Sequence, residues 1–134
     1  MIRRVNHIGI AVKDIDSAAK VYADAFGLKV QDVEVMEAAG VKIALIPVGE
    51  SKIELVEPTD PEGKIARFIE EKGEGLNHLA FEVSDIEAVL DSLKAKGVPL
   101  VDEEPRSGAG GARIAYLQPA AAGGVSLELV EPGC

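Results

Sequence analysis

The segment ELVEP stands twice in the chain, at Glu54–Pro58 and at Glu128–Pro132. Each copy closes a stretch opened by an Asn-His pair and an apolar run, NHIGIAV at Asn6–Val12 and NHLAFEV at Asn77–Val83. His7 to His78 and Asp14-Ile15 to Asp85-Ile86 are both offset by 71 residues, and Glu54 to Glu128 by 74. Matching phrases at a near-constant offset mark an internal repeat, and both copies must then obey one supersecondary plan. The reading is two modules, 1–58 and 75–134, joined by a linker over 59–74. At 134 residues, the two share a single domain.

Each module reads as strand, helix, then strands. VNHIGIAV is a β-type run, followed by DIDSAAKVYADAFG with Asp14 or Asp16 as N-cap and Gly27 as the stop. Ile15, Ala18, Ala19, Tyr22, Ala25 and Phe26 keep helical spacing. Three β-type runs follow, Leu28–Met36, Val41–Val48 and Lys52–Glu57. In the second module Ser84 or Asp85 caps a helix carrying Ile86, Val89, Leu90 and Leu93, and Gly97 ends it. Strands are expected near Pro99–Val101, Ala112–Leu117 and Val125–Val130. The linker holds a short helix over Ile65–Lys72, with Ile65, Phe68 and Ile69 on one side. The pattern is α+β, βαβββ written twice.

Side chains alternate across a strand. Ile8, Ile10 and Val12 therefore oppose His7, and Ile53 and Leu55 oppose Glu54. The second module keeps this parity, with Leu79, Phe81 and Val83 opposing His78 and Leu127 and Leu129 opposing Glu128. The bulkier sets should pack under the helices, leaving His7, Glu54, His78 and Glu128 on the other face beside small neighbours. One histidine in a strand is ordinarily structural, and a Glu near a strand end is ordinarily solvated. Four such residues with one parity, at matching places in both repeats, form a set. Two imidazoles and two carboxylates suit Zn²⁺, Co²⁺, Ni²⁺, Mn²⁺ or Fe²⁺ and leave two positions of an octahedron open. Glu57 and Glu131 have the wrong parity and read as strand-end charges.

Composition narrows the partners. A net charge of −9 argues against nucleic acid or an anionic membrane. Cys134 is the only cysteine, which excludes an internal disulfide and fits a reducing compartment. The N-terminal apolar stretch is broken by Asn6, His7 and Lys13, unlike a signal peptide, and no run approaches the ~20 residues of a membrane span. The expected location is the cytoplasm, and the expected partner a small molecule.

On these residues the chain resembles the vicinal-oxygen-chelate (glyoxalase) superfamily, whose paired βαβββ modules form a cupped mixed sheet around a metal. Within it, NHIGIAVKDIDSAAKVYADAFGLKV, GVKIALIPVGESKIELVEP, GLNHLAFEVSDIEAVLDSLKAKGV and DEEPRSGAGGARIAYLQPAAAGGVSLELVEP look like the methylmalonyl-CoA epimerase family. The resemblance covers residues 3–131. It implies one divalent ion per chain, Co²⁺ foremost with Mn²⁺, Ni²⁺, Zn²⁺ or Mg²⁺ as other occupants, held by His7, Glu54, His78 and Glu128. Glu54 stands where some members carry Gln. It implies epimerisation at C2 of a CoA thioester through a metal-stabilised enolate, with Glu128 and Glu54 as acid/base groups, and often a homodimer. Some members carry a further Glu where this chain has Ile43. The loop Pro105–Arg113 is either a flexible hairpin connection or a receptor in which Gly110, Gly111 and Arg106 or Arg113 meet the substrate carboxylate or CoA phosphates.

Other activities share the ligand set or the fold. A glyoxalase I uses a His/Glu/His/Glu metal site, but its loop differs from the Pro105–Pro119 segment. A ring-cleaving dioxygenase needs two His and one carboxylate, leaving Glu54 unexplained. A non-catalytic ligand-binding protein of this fold ordinarily lacks the ligands.

Overall fold

The computed structural model describes residues 1–133, so Cys134 lies outside the described residues. Strand β1 (Ile2–Ala11) leads to helix α1 (Ile15–Phe26) and strands β2 (Asp32–Met36), β3 (Val41–Val48) and β4 (Ser51–Pro58). Helix α2 (Lys64–Lys72) occupies the linker. Strand β5 (Gly75–Val83), helix α3 (Ile86–Ala95) and strands β6 (Arg106–Ser107), β7 (Arg113–Tyr116) and β8 (Leu127–Glu131) repeat the plan. The strands order as β2-β3-β4-β1 in the first half and β5-β8-β7-β6 in the second. In each half the first and last strands pair in parallel and the rest are antiparallel. No helix among the described residues is long and apolar enough to cross a membrane.

Two expected strands differ. The run from Leu28 becomes strand only at Asp32, because Leu28 closes the α1 terminus instead. Its N–H bonds Tyr22 O (3.1 Å), and Gly27, at φ 69°, donates to Ala23 O (3.0 Å). That is the double bond of a left-handed helix stop. Near Pro99–Val101 only a single bridge forms, Leu100 to Leu117, and the edge strand moves to Arg106–Ser107. Pro99 has no N–H to give a ladder, and Leu100 packs into the α3 core.

The repeated glutamates at the end of ELVEP have a structural task. Glu57 Oε1 accepts from Ile15 N–H (2.8 Å), and Glu131 Oε1 accepts from Ile86 N–H (3.1 Å). Each carboxylate thus satisfies an otherwise orphaned amide at a helix start and meets the positive end of the helix dipole. Asp14 and Asp85 add the side-chain caps, accepting from Ser17 N–H (3.2 Å) and Ala88 N–H (3.1 Å).

The chain divides into two compact units, His7–Asn77 and Met1–Asn6 together with the chain from His78 onward. In the first, Val12, Ile15, Ala44, Ile46 and Leu55 are buried together, with Ile10, Ala18, Ala19, Tyr22 and Ile53 against them. In the second, Val83, Ile86, Val89, Leu90, Ala115, Leu117 and Leu129 form the core, flanked by Phe81 and Leu127. The bulky set of each strand packs under its helix, as the alternation implies. Ile8 and Leu79 are the exceptions: both lie outside the helix-covered clusters, and Ile8 stays 38% exposed.

Candidate metal centre and active site

In the first unit β1 and β4 run parallel with Gly9 opposite Glu54. Glycine at that register has no side chain to crowd the carboxylate. Glu54 Oε2 lies 3.6 Å from Nε2 of His7, which is buried. Across β3 the same face carries Leu45 opposite Glu54 and Ile43 opposite Val56. Ile43 is buried, so an apolar residue occupies the place where some family members carry a glutamate. On the edge strand, Glu34 opposes Ile43.

The second unit repeats the geometry. Ala80 takes the place of Gly9 and opposes Glu128 on the parallel strand. Glu128 Oε1 lies 3.2 Å from His78 Nε2, and both residues are buried. The structure therefore brings the predicted residues together pairwise, His7 with Glu54 and His78 with Glu128. All four point away from the helix-covered cores.

Around the second pair stand residues that the repeat did not single out. Tyr116 opposes Glu128 on β7 and meets His78 edge-on, with ring centroids 6.0 Å apart and planes at 77°. The Arg106 guanidinium carbon lies 5.4 Å from the Tyr116 ring centroid. Asp102 accepts from Arg106 Nε–H (3.2 Å) and from the Tyr116 backbone N–H (2.9 Å). Glu82, on the same face of β5 as His78, is 9% exposed and accepts from Asn6 Nδ2–H (3.0 Å), with Arg4 Nε at 3.6 Å and Arg3 Nη1 at 3.8 Å. It ties the start of β1 to β5 within this unit. Parity alone places Tyr116, because Ala115 and Leu117 on either side are core residues. Nothing in the local sequence announces Asp102.

The two loop arginines part company. Arg106 opposes Ile114 in the ladder and so shares the face of Tyr116 and Glu128. Arg113 falls on the α3 face, where its Nε–H donates to Glu131 (2.9 Å) and its Nη1 lies 3.6 Å from Glu87. The bond to Glu131 raises the Arg113 pKa further, with both carboxylates adding to it. Reciprocally, the Arg113 bond first and the Ile86 N–H second hold the Glu131 carboxyl below its ordinary range. Gly110 and Gly111 sit in a tight turn at φ 63° and 76°. Their carbonyl oxygens pack against Gly133 so closely that a Cβ there would meet them at 2.8 and 2.9 Å.

Repeated βαβββ modules, each with an imidazole–carboxylate pair, offer donor atoms of the kind that a metal ion takes. The chain belongs to the glyoxalase/bleomycin resistance protein/dioxygenase superfamily, whose model matches residues 6–116. An ethylmalonyl-CoA/methylmalonyl-CoA epimerase of Cereibacter sphaeroides is 36% identical over 131 residues, 96% of this chain and 98% of that protein. An uncharacterised Bacillus subtilis protein is 38% identical over 131 residues, 98% of this chain and 94% of that one. A Streptomyces coelicolor methylmalonyl-CoA epimerase variant, solved in complex with 2-nitronate-propionyl-CoA, matches with a TM-score of 0.96 at 34% identity. That match covers 100% of this chain and 97% of the other. The fold and family implied by the sequence motifs are therefore those found.

Proposed function

We propose that the protein is a methylmalonyl-CoA epimerase, interconverting the R and S forms at C2. In this reading the two modules act as one domain, and His7, Glu54, His78 and Glu128 together hold one divalent ion. The observation that carries it is the recurrence, in both repeats, of a His–Glu pair shielded from solvent and turned away from the helix core. Near full-length likeness to an epimerase solved with a CoA thioester analogue supports it. The mixed nitrogen and oxygen donor set fits a first-row divalent ion, with cobalt the expected occupant by family resemblance. When bound, such an ion polarises the thioester carbonyl and stabilises the negative charge that develops as the α-proton leaves.

The chain's own residues supply the remaining steps. Epimerisation removes a proton from one face of C2 and returns one to the other, so two acid/base groups are needed. Glu128 and Glu54 take these roles, one from each repeat. With Ile43 apolar, β3 offers no carboxylate at that position, and the role in the first repeat falls to Glu54. Arg106 receives an anionic group of the substrate, while Arg113 serves to join β7 to β8 and α3. The turn at Gly110 and Gly111 allows close backbone approach to the CoA portion.

Deuterium uptake at C2 of methylmalonyl-CoA in D₂O, followed by NMR, tests substrate, reaction and metal together. Exchange is expected with metal-loaded protein and should stop on chelation. A fully metal-loaded preparation that leaves C2 protonated ends this reading.

A further inference from the structure

Asp102, Arg106 and Tyr116 form a connected group in the second unit that neither repeats in the first nor belongs to the ligand set. The Asp102 carboxylate bridges two donors, the Tyr116 backbone amide and the Arg106 Nε–H. Arg106 is thereby held over the Tyr116 ring, which shields one face of the guanidinium and favours its charge. The Nε edge is occupied, whereas the two terminal nitrogens have no protein partner among the described residues. A guanidinium fixed in this way presents a planar fork suited to a carboxylate.

We propose that Arg106 is the specificity-determining residue for the free carboxylate of the acyl group, and that Asp102 is the positioning residue that aims it. This rests on the epimerase reading above. Position favours the acyl carboxylate over a CoA phosphate. Arg106 is one ring away from His78, since Tyr116 touches both. The acyl carboxylate is one bond from the reacting carbon, whereas the phosphates lie at the far end of the pantetheine arm. The chain's net charge of −9 explains why a cation must be held here to attract an acyl group that carries a negative carboxylate. Asp102 fixes direction at some cost in local potential, and its own charge is directed at Nε and the backbone rather than at the open fork.

The test compares two CoA thioesters on the metal-loaded protein by calorimetry: methylmalonyl-CoA, and propionyl-CoA, which lacks the carboxylate. The ratio of their dissociation constants is the readout, measured for the wild type, Arg106→Gln, Asp102→Asn and Asp102→Glu. Wild type should prefer methylmalonyl-CoA. Arg106→Gln and Asp102→Asn should each reduce that preference about tenfold or more while leaving propionyl-CoA binding unchanged. Asp102→Glu should restore part of it. If both constants weaken by one factor, or if the ratio does not move in either variant, the assignment is overturned. If wild type binds neither thioester, the epimerase reading itself fails, and the assignment fails with it.

Discussion

The two repeats place the same backbone positions around each His–Glu pair, and comparing them residue by residue shows where they diverged. Leu45 opposes Glu54 in the first half where Tyr116 opposes Glu128 in the second. Ile43 and Ile114 hold equivalent next positions, opposite Val56 and Val130. On the edge strand, Glu34 of the first half matches Arg106 of the second. The innermost positions, histidine, glutamate and a small neighbour, are kept. One step outward an aliphatic residue is replaced by an aromatic one, and at the rim a carboxylate is replaced by a guanidinium. A duplicated frame can keep its inner His–Glu pair in both copies while the positions around that pair diverge.

The sharpest way to break that comparison is to neutralise the two paired carboxylates in turn. Glu128→Gln and Glu54→Gln should each lower turnover about 10²–10⁴-fold, as loss of an acid/base group does, measured by C2 deuterium exchange beside the metal content of each variant. If Glu54→Gln keeps its metal and full turnover, the first repeat supplies a ligand only, and the symmetry of roles is gone. Next in size is the core. Leu90, on the inner face of α3, and Leu55, on β4 beneath α1, are almost wholly buried, and Leu→Ala at either should cost about 3 kcal/mol in urea unfolding. A much smaller loss in one half would show that its helix packs less tightly than the other.

The smallest expected effect concerns the helix-start glutamates. Glu131→Gln should lower the melting temperature more than Glu57→Gln, because Glu131 also holds Arg113. Since Arg113 and the Ile86 amide depress the folded-state pKa of Glu131, its contribution is complete above the ordinary carboxylate range. It should fade as pH falls below about 4.3 and through the depressed value, so the gap between wild type and Glu131→Gln should close in acid. Melting curves at a series of pH values measure this. A gap that widens in acid would mean that the pairing does not stabilise the fold.

Much of this was legible along the chain because strand side chains alternate with a period of two and helices with 3.6. The offset of the repeat located His7, Glu54, His78 and Glu128, and parity turned them away from the core. Capping by Glu57 and Glu131 was not legible. Each reaches a helix start 42 and 45 residues earlier, and a bond across that distance depends on the parallel strand register rather than on any local signal. Nor could the sequence choose between Arg106 and Arg113, both of which flank the same glycine-rich loop. The structure puts them on opposite faces, because β6 begins only after Pro99 and its start sets the register against β7. The chain by itself determined which residues alternate and which recur. Tertiary pairing alone decided which charged group faces which, because that depends on strand neighbours remote in sequence.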